Sequence, residues 1–235
     1  MKCGAENMGN IYIIIHGFAG GFYEIEPLYS YLQSKKFKVH SVILAGHGGT
    51  RRELSLFSCD DWIDSAIRQI KIIQKNYRKK VGLNLIGFSM GGLICANLTE
   101  FFHVKKIVFI NTPVYYWDIK QIAKNIIYDI KHRTFTHIDY YVKSTFKSHP
   151  NALVNFMKIL QRTKNKFSSS AIKEANPLIL QCLDDDTVHN RSANYIKNEI
   201  GASAKLKYYS TGGHQVFSSK TSDRICDDVY KYLDN

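Results

Sequence analysis

The sequence predicts an α/β fold, in which helices cover both faces of a mainly parallel sheet. Six short segments are apolar and rich in β-branched residues, and they end in glycine, asparagine, aspartate or proline. Near-continuous apolar runs of this kind are typical of strands that are buried on both faces. Helical patterns lie between these segments, and a regular alternation of strand and helix is typical of a parallel sheet.

These two patterns also give the order of the elements along the chain. The predicted strands are residues 11–17, 39–48, 81–89, 104–113, 177–185 and 204–214. The predicted helices are residues 22–36, 60–77, 91–102, 192–200 and 222–234. Because no linker, repeat or low-complexity tract interrupts the 235 residues, we expect a single domain over residues 1–235.

Residues 114–175 break the alternation. This segment has several amphipathic helical patterns and no apolar run typical of a buried strand, and it is too long for an ordinary connection. Ligands of open α/β sheets bind at the carboxyl edge of the sheet. We therefore expect a helical cap insertion at this edge. Most of its aromatic residues are expected to pack the insertion onto the body, while Tyr116 and Trp117 are expected to line an apolar substrate pocket.

Composition narrows the classes of function. The formal net charge of +12 comes from lysines and arginines that are scattered over predicted helix faces, without a nucleic-acid recognition motif, so no nucleic-acid partner is expected. The N-terminus lacks a secretory pattern and no segment is apolar enough to span a membrane, which predicts a cytoplasmic protein without an integral membrane segment. Five widely spaced cysteines without a paired motif predict free thiols and no metal site.

Ser89 lies in the most informative motif of the chain. Residues 87–91, Gly-Phe-Ser-Met-Gly, fit G-x-S-x-G at the end of a predicted strand and the start of a predicted helix, which is the context that this motif requires. Glycines on either side let the strand and the helix approach closely and leave the serine on a sharp, strained turn. The pattern therefore predicts Ser89 as a nucleophile.

A serine hydroxyl needs a base to take its proton, and in this chemistry the chain order is serine, acid, histidine. His214 follows the last predicted strand and precedes the last helix, so it lies at the same sheet edge as Ser89. His189 is too close to the expected acid loop to be the base. No role is expected for the four histidines in helical or insertion segments, namely His103, His132, His137 and His149.

The acid is expected after the strand at 177–185, where Asp184, Asp185 and Asp186 follow one another. We select Asp185, because it then fits a D-x-x-V pattern in which Val188 anchors the loop. The other two aspartates are expected to be turn and capping residues. An earlier position for the acid, after the strand that reaches residue 111, holds Asn111, which cannot carry the charge.

Two backbone N–H groups are expected to stabilise a developing oxyanion. One belongs to Met90, which begins the helix after the serine, and the other belongs to Phe18, in the glycine-bearing loop after the first strand. The side chains of Phe18 and Met90 are also expected to line the substrate pocket. His16, which precedes the serine in chain order, is expected to support this loop by hydrogen bonding.

With these residues placed, the chain resembles the α/β-hydrolase superfamily, and within it the small bacterial carboxylesterases and monoacylglycerol lipases with a short helical cap. The segments that carry the resemblance occur in family order at 16–21, 44–50, 60–62, 87–92, 111–113, 181–188 and 212–214. The resemblance implies Ser89 as nucleophile, His214 as base and Asp185 as acid. It also implies the Phe18 and Met90 amides as oxyanion hole, a cap after Pro113 and no cofactor.

The expected activity is therefore hydrolysis of small-molecule carboxylic esters through an acyl-enzyme. Short to medium acyl chains are expected, with monoacylglycerols as one candidate, because an apolar pocket discriminates chain length by only ~1–3 kcal/mol per methylene. A thioesterase or an amidase would use the same three residues. A ligand-binding protein that has kept the fold and lost the chemistry is the alternative from another class.

Overall fold

The structure is a computed structural model that describes residues 9–77, 81–115, 127–136 and 149–235. Within these residues, six strands form one sheet in which every neighbouring pair is parallel. The strands are β1 (Asn10–Ile15), β2 (Val39–Val42), β3 (Gly82–Phe88), β4 (Val104–Ile110), β5 (Leu178–Cys182) and β6 (Lys205–Tyr209).

The strand order is β2-β1-β3-β4-β5-β6, so the chain changes its winding direction between β1 and β3. These two strands pair directly, with Ile15 opposite Gly87 near their carboxyl ends. Open α/β sheets bind ligands at such a switch point, because the loops there diverge and leave a crevice. The loops that carry Phe18 and Ser89 leave the sheet at this point.

Eight helices begin and end within the described residues, and residues 127–132 are also helical. The eight helices are α1 (Phe22–Ser34), α2 (Arg51–Ser55), α3 (Cys59–Lys75), α4 (Met90–Leu98), α5 (Pro150–Lys164), α6 (Ser170–Glu174), α7 (Arg191–Ile200) and α8 (Ser222–Asp234). A short 3-10 helix, Val216–Ser218, follows His214.

Alternate side chains of each strand point to opposite faces, and each face packs against its own helices. Ile13 and Leu85 belong to the apolar cluster that also contains the buried residues of α3, α4, α5 and α7. Ile14 and Ile86 belong to the second cluster, which contains the buried residues of α1 and α8. Helices therefore cover both faces, and the predicted α/β fold is confirmed.

The predicted elements differ from the structure mainly at their ends. The runs at 39–48 and 204–214 were expected to be strands throughout, but β2 ends at Val42 and β6 ends at Tyr209. The remaining residues of these runs form loops at the carboxyl edge. Helix α2 was missed, although Thr50 and Glu53 form a reciprocal capping box at its start.

The connection from β4 to β5 contains the segment that was expected to form a cap. Its later part, α5 and α6, packs against the face of the sheet that α3 and α4 cover, with Phe156 and Ile159 buried in the same cluster. Asn97 of α4 donates a hydrogen bond of 2.7 Å to Thr163 of α5 and so fixes the two helices together. Tyr116 and Trp117 lie outside the described residues.

Among the described residues, no helix combines the length and the apolar character needed to cross a membrane. Four of the cysteines are buried free thiols, namely Cys59, Cys95, Cys182 and Cys226. Cys3 lies outside the described residues.

Candidate active site

Ser89 occupies a strained turn between β3 and α4. Its backbone has φ 53° and ψ −122°, a conformation that costs a residue with a side chain on the order of 1–3 kcal/mol. The Ser89 N–H donates to the carbonyl of Ile110 at 2.8 Å, which fixes the turn against β4. A Cβ on Gly91 would lie 2.1 Å from the carbonyl oxygen of Ile15, and a Cβ on Gly87 would lie 2.4 Å from the backbone nitrogen of Gly92. Only glycine fits at positions 87 and 91.

Ser89, His214 and Asp185 come together in a chain of hydrogen bonds. The Ser89 Oγ lies 3.0 Å from His214 Nε2, and His214 Nδ1 lies 2.9 Å from Asp185 Oδ2. A carboxylate only accepts hydrogen bonds, so the imidazole Nδ1–H is the donor to Asp185 and, in the neutral ring, Nε2 accepts from the serine hydroxyl. All three residues are buried.

The surroundings of His214 favour its charged form. Burial alone lowers the pKa of the imidazole, but the neighbouring carboxylate of Asp185, with further contributions from Glu24 and Asp186, outweighs burial and raises the pKa above its ordinary value. An imidazole in this environment is a stronger base toward the serine proton. It also forms an imidazolium at lower free-energy cost.

The second oxygen of Asp185 is held by the backbone. Asp185 Oδ1 accepts from the N–H groups of Thr187 at 2.9 Å and Val188 at 2.8 Å. Val188 is fully buried, so it anchors the turn in which these N–H groups lie. The carboxylate therefore has a fixed orientation, with its other oxygen free to face His214.

The loop that carries His214 is positioned by two residues that sequence reasoning did not place in the site. Asp184, expected to be a turn residue, accepts from the N–H groups of Gly212 at 3.1 Å and Gly213 at 2.8 Å. Asn111, rejected as the acid, donates through its side-chain amide to the carbonyl of Gly213 at 3.1 Å and that of His214 at 3.2 Å. Both residues follow strand ends at the carboxyl edge, and this position was the available signal.

The N–H groups of Met90 and Phe18 lie on the two loops at the switch point. Met90 is the first residue of α4, where backbone N–H groups have no partner within the helix. The loop after β1 passes close to the serine, because a Cβ on Gly17 would lie 3.3 Å from Ser89 Cβ. The chain at Gly17 and the first residue of α4 therefore both lie beside Ser89.

Phe18 lies in an aromatic cluster at the same edge. Its ring centroid is 5.0 Å from that of Phe156 on α5, and 6.1 Å from that of Trp62 on α3. Met90 is completely buried. Phe18 and Phe156 therefore join the loop after β1 to α5 through an apolar contact, while Tyr116 and Trp117 lie outside the described residues.

His16 and His47 lie beneath the two loops as neutral residues. His16 Nδ1 donates to the carbonyl of Gly17 at 2.8 Å, and its Nε2 accepts from the N–H of Leu44 at 3.1 Å. Burial lowers the pKa of His16 to about 4, and burial together with the neighbouring His16 lowers the pKa of His47 to about 3. His16 thus joins the loop after β1 to the chain after β2, in the supporting position expected for it.

Comparison with known proteins agrees with this architecture. The sequence profile of the α/β-hydrolase fold family matches residues 12–129, which is half of the chain. The chain belongs to the α/β-hydrolase fold family.

Individual relatives resemble the chain over nearly its whole length. A carboxylesterase of Bacillus subtilis (strain 168) is 23% identical over 226 residues, covering 94% of this chain and 91% of that protein. A soluble variant of monoglyceride lipase from Saccharomyces cerevisiae has a TM-score of 0.74 at 17% identity, covering 98% of this chain and 88% of that one. Monoacylglycerol lipase of Paleococcus ferrophilus has a TM-score of 0.68 at 14% identity, covering 98% of this chain and 96% of that one.

Proposed function

We propose that this protein is a serine hydrolase that cleaves small-molecule carboxylic esters through an acyl-enzyme, with Ser89, His214 and Asp185 as its catalytic triad. The observation that carries the proposal is the continuous hydrogen-bond chain from Ser89 Oγ to His214 and on to Asp185, at 3.0 and 2.9 Å. Similarity to a carboxylesterase and to two monoacylglycerol lipases supports the ester class of substrate.

In the proposed reaction, Ser89 Oγ attacks the ester carbonyl while His214 Nε2 takes the serine proton. The N–H groups of Met90 and Phe18 stabilise the negative oxygen of the tetrahedral intermediate. His214 then gives the proton to the leaving alcohol, and an acyl group stays on Ser89. Water repeats the sequence with His214 as base, which releases the carboxylic acid and restores the serine.

Asp185 supports this cycle without exchanging a proton. Its carboxylate keeps the proton of the neutral imidazole on Nδ1, so that Nε2 is free to accept from Ser89, and it stabilises the imidazolium that forms. The raised pKa of His214 is in keeping with this role.

The proposed substrate pocket combines Phe18 and Met90 with Tyr116 and Trp117 of the cap. We propose that residues 114–175 are a cap insertion within one catalytic domain. The contact between Phe156 of α5 and Phe18 supports a pocket shared between this segment and the loop after β1. Short to medium acyl chains, monoacylglycerols among them, are the proposed substrates.

Hydrolysis of p-nitrophenyl acetate, butyrate, octanoate and dodecanoate by the wild-type protein and by Ser89→Ala tests the proposal. The variant is expected to lose several orders of magnitude in kcat, because the triad acts as a unit. Ser168→Ala is the matched control, since Ser168 is exposed and far from the site in sequence. Its activity should equal that of the wild type.

The same acyl chain presented as an oxygen ester, a thioester and an amide then defines the leaving group. Preference for the thioester or the amide would replace the esterase proposal by one of those activities. A wild-type protein that is inactive on all three compounds, or a Ser89→Ala variant that stays active, would overturn the proposed mechanism.

A further inference from the structure

Glu24 is a buried carboxylate next to the candidate active site. It lies in the first turn of α1 and is 8% exposed. Its Oε2 accepts from the N–H of Gly17 at 3.0 Å, and its Oε1 accepts from the side-chain amide of Gln215 at 3.2 Å. Gly17 precedes Phe18 and Gln215 follows His214. One side chain therefore joins the loop that carries the proposed oxyanion donor to the loop that carries the proposed base.

The carboxylate fits closely beneath the loop after β1. A Cβ on Gly20 would lie 1.8 Å from Glu24 Oε2, so any larger residue at position 20 would displace the carboxylate. A Cβ on Gly17 would lie 3.2 Å from the same oxygen and 3.3 Å from Ser89 Cβ. Glu24 is thus packed against the chain beside the serine without being part of the triad.

The contacts of Glu24 suit an ionised carboxylate. The groups at Gly17 and Gln215 are both N–H donors, and an ionised carboxylate offers acceptors alone. Glu24 faces His214 from α1, whereas Asp185 and Asp186 face it from the loop after β5, and all three raise the pKa of the imidazole. Asp184, on that same loop, is bonded to the backbone N–H groups of Gly212 and Gly213.

We infer that Glu24 is a positioning residue: its carboxylate aligns the oxyanion loop with the histidine loop and adds a second buried negative charge that stabilises the imidazolium of His214. The inference rests on the proposed function for its catalytic meaning. Glu24 binds the Gly17 N–H and the Gln215 amide, so it acts through the two loops that these residues belong to. A misplacement of about 1 Å at such a loop can cost roughly 100-fold in rate.

Three substitutions separate the two effects of Glu24. Glu24→Gln removes the charge but keeps an acceptor for the Gly17 N–H, and its amide can donate to Gln215. Glu24→Asp keeps the charge on a shorter side chain that no longer reaches Gly17. Glu26→Gln is the matched control, because Glu26 is an exposed residue of the same helix and the same charge is removed.

The first readout is the titration of the His214 imidazole by NMR with ¹³C-labelled histidine, its signal assigned among the nine histidines with His214→Gln. This readout does not depend on turnover. The pKa of His214 is expected to fall in Glu24→Gln and to stay at the wild-type value in Glu26→Gln. An unchanged pKa in folded Glu24→Gln would overturn the electrostatic part of the inference.

The second readout is the pH profile of ester hydrolysis. In Glu24→Gln the acid limb of kcat/KM should move to lower pH, because the base stays neutral there, and the plateau should fall less than in Glu24→Asp, because the Gly17 N–H keeps its acceptor. General damage to the fold would lower the plateau without moving the limb in this direction. In Glu24→Asp the plateau should fall about 10- to 100-fold while the limb stays near its wild-type position.

These outcomes separate the inference from the proposed function. A wild-type protein that does not hydrolyse esters would overturn the proposed function, while the NMR titration would still decide whether Glu24 acts on His214. An active wild type with an unchanged plateau in Glu24→Asp would overturn the alignment of the two loops by Glu24. Circular dichroism and thermal unfolding separate a loss of alignment in Glu24→Asp, which leaves the wild-type unfolding transition, from general damage to the fold. If Glu24→Gln does not fold, an unchanged plateau in folded Glu24→Asp still overturns the inference.

Discussion

The turn at Ser89 and the loop at His214 bring two partners of one hydrogen bond together in different ways. The serine turn is fixed by close backbone contact, because Gly87 lies against α4, Gly91 lies against β1, and only glycine fits at either position. The histidine loop is held by side chains from elsewhere in the chain. Asn111, for example, lies 102 residues before Gly213, whose carbonyl it binds.

This difference determines how the serine turn and the histidine loop respond to substitution. A turn defined by backbone contact has no room to adjust, so a single added methyl group displaces a strand. A loop held by several hydrogen bonds can lose them one at a time, and each loss is expected to change the position of the imidazole more than it changes the fold. The following predictions test this contrast.

The largest effect is expected for Asp185→Asn, which keeps the shape of the side chain but removes its charge. An amide in place of the carboxylate favours the wrong tautomer of the imidazole, and in other triads this change lowers kcat by about 10⁴-fold. Steady-state kinetics on the best p-nitrophenyl ester measures the loss. Asp64→Asn, at an exposed position of α3, should retain wild-type activity, and an Asp185→Asn variant within tenfold of the wild type would contradict the assignment of the acid.

Gly91→Ala is expected to prevent folding or to lower the free energy of unfolding by about 3 kcal/mol or more. The new Cβ would meet the carbonyl oxygen of Ile15 at 2.1 Å, so α4 or β1 would have to shift. Chemical denaturation measures the change. The matched control is Gly9→Ala, where a Cβ meets no atom within 4 Å; equal stability of the two variants would show that the turn is not sterically fixed.

Asp184→Ala is expected to have a smaller effect on the fold and a distinct effect on activity. It leaves the N–H groups of Gly212 and Gly213 without their acceptor, which costs about 1–3 kcal/mol of stability. The imidazole moves with its loop, so kcat/KM should fall roughly 10- to 100-fold. Denaturation and kinetics on one preparation compare the two losses. A fall in stability with unchanged kcat/KM would show that this loop does not position His214.

The smallest effect concerns pH and follows from the raised pKa of His214. The base must be neutral, so kcat/KM of the wild type should decline as pH falls through a pKa above the ordinary value of 6.5. The free energy of unfolding changes in the opposite sense. Because the pKa of His214 is higher in the folded state than in the unfolded chain, protonation stabilises the folded state at low pH. This contribution is lost as pH rises through the folded-state pKa. Kinetics of the wild type, and denaturation of the wild type and His214→Gln, across a pH series check both pH dependences. An acid limb of kcat/KM below pH 6.5 would contradict the raised pKa of His214.

The sequence predicted the parts of the fold and of the candidate site that depend on neighbouring residues. All six strands of the described sheet were predicted because buried parallel strands read as continuous apolar runs. Chain order and strand ends led to Ser89, Asp185 and His214, which the structure brings within hydrogen-bond distance. Their catalytic roles stay predictions.

Strand ends were less predictable, for a physical reason. Residues 43–48 and 210–214 continue apolar or small-residue runs, yet they belong to loops. His47 and His214 in these loops are buried because the loops pack around the site. Burial at the carboxyl edge therefore prolongs a strand-like pattern beyond the last residue that pairs in the sheet.

The sequence pattern of α1 indicates that Glu24 is buried. It lies on the buried face of α1 with Ile25, Leu28 and Leu32. A charged residue at a core position of an amphipathic helix needs a polar partner. The pattern therefore indicated a buried interaction, but it did not indicate that the partners are Gly17 and Gln215.

The sequence by itself determined the α/β fold, the strained turn at Ser89 and the order of serine, acid and histidine, because each is expressed in local residue types or in chain order. Only the tertiary structure decided which side chains hold the loops together. Asp184 binds Gly212 across 28 positions, Asn111 binds Gly213 across 102, and Glu24 binds Gln215 across 191. The strand order β2-β1-β3-β4-β5-β6 places these distant segments at one sheet edge. Hydrogen bonds across an edge depend on distance in space, and one-dimensional spacing does not contain that distance.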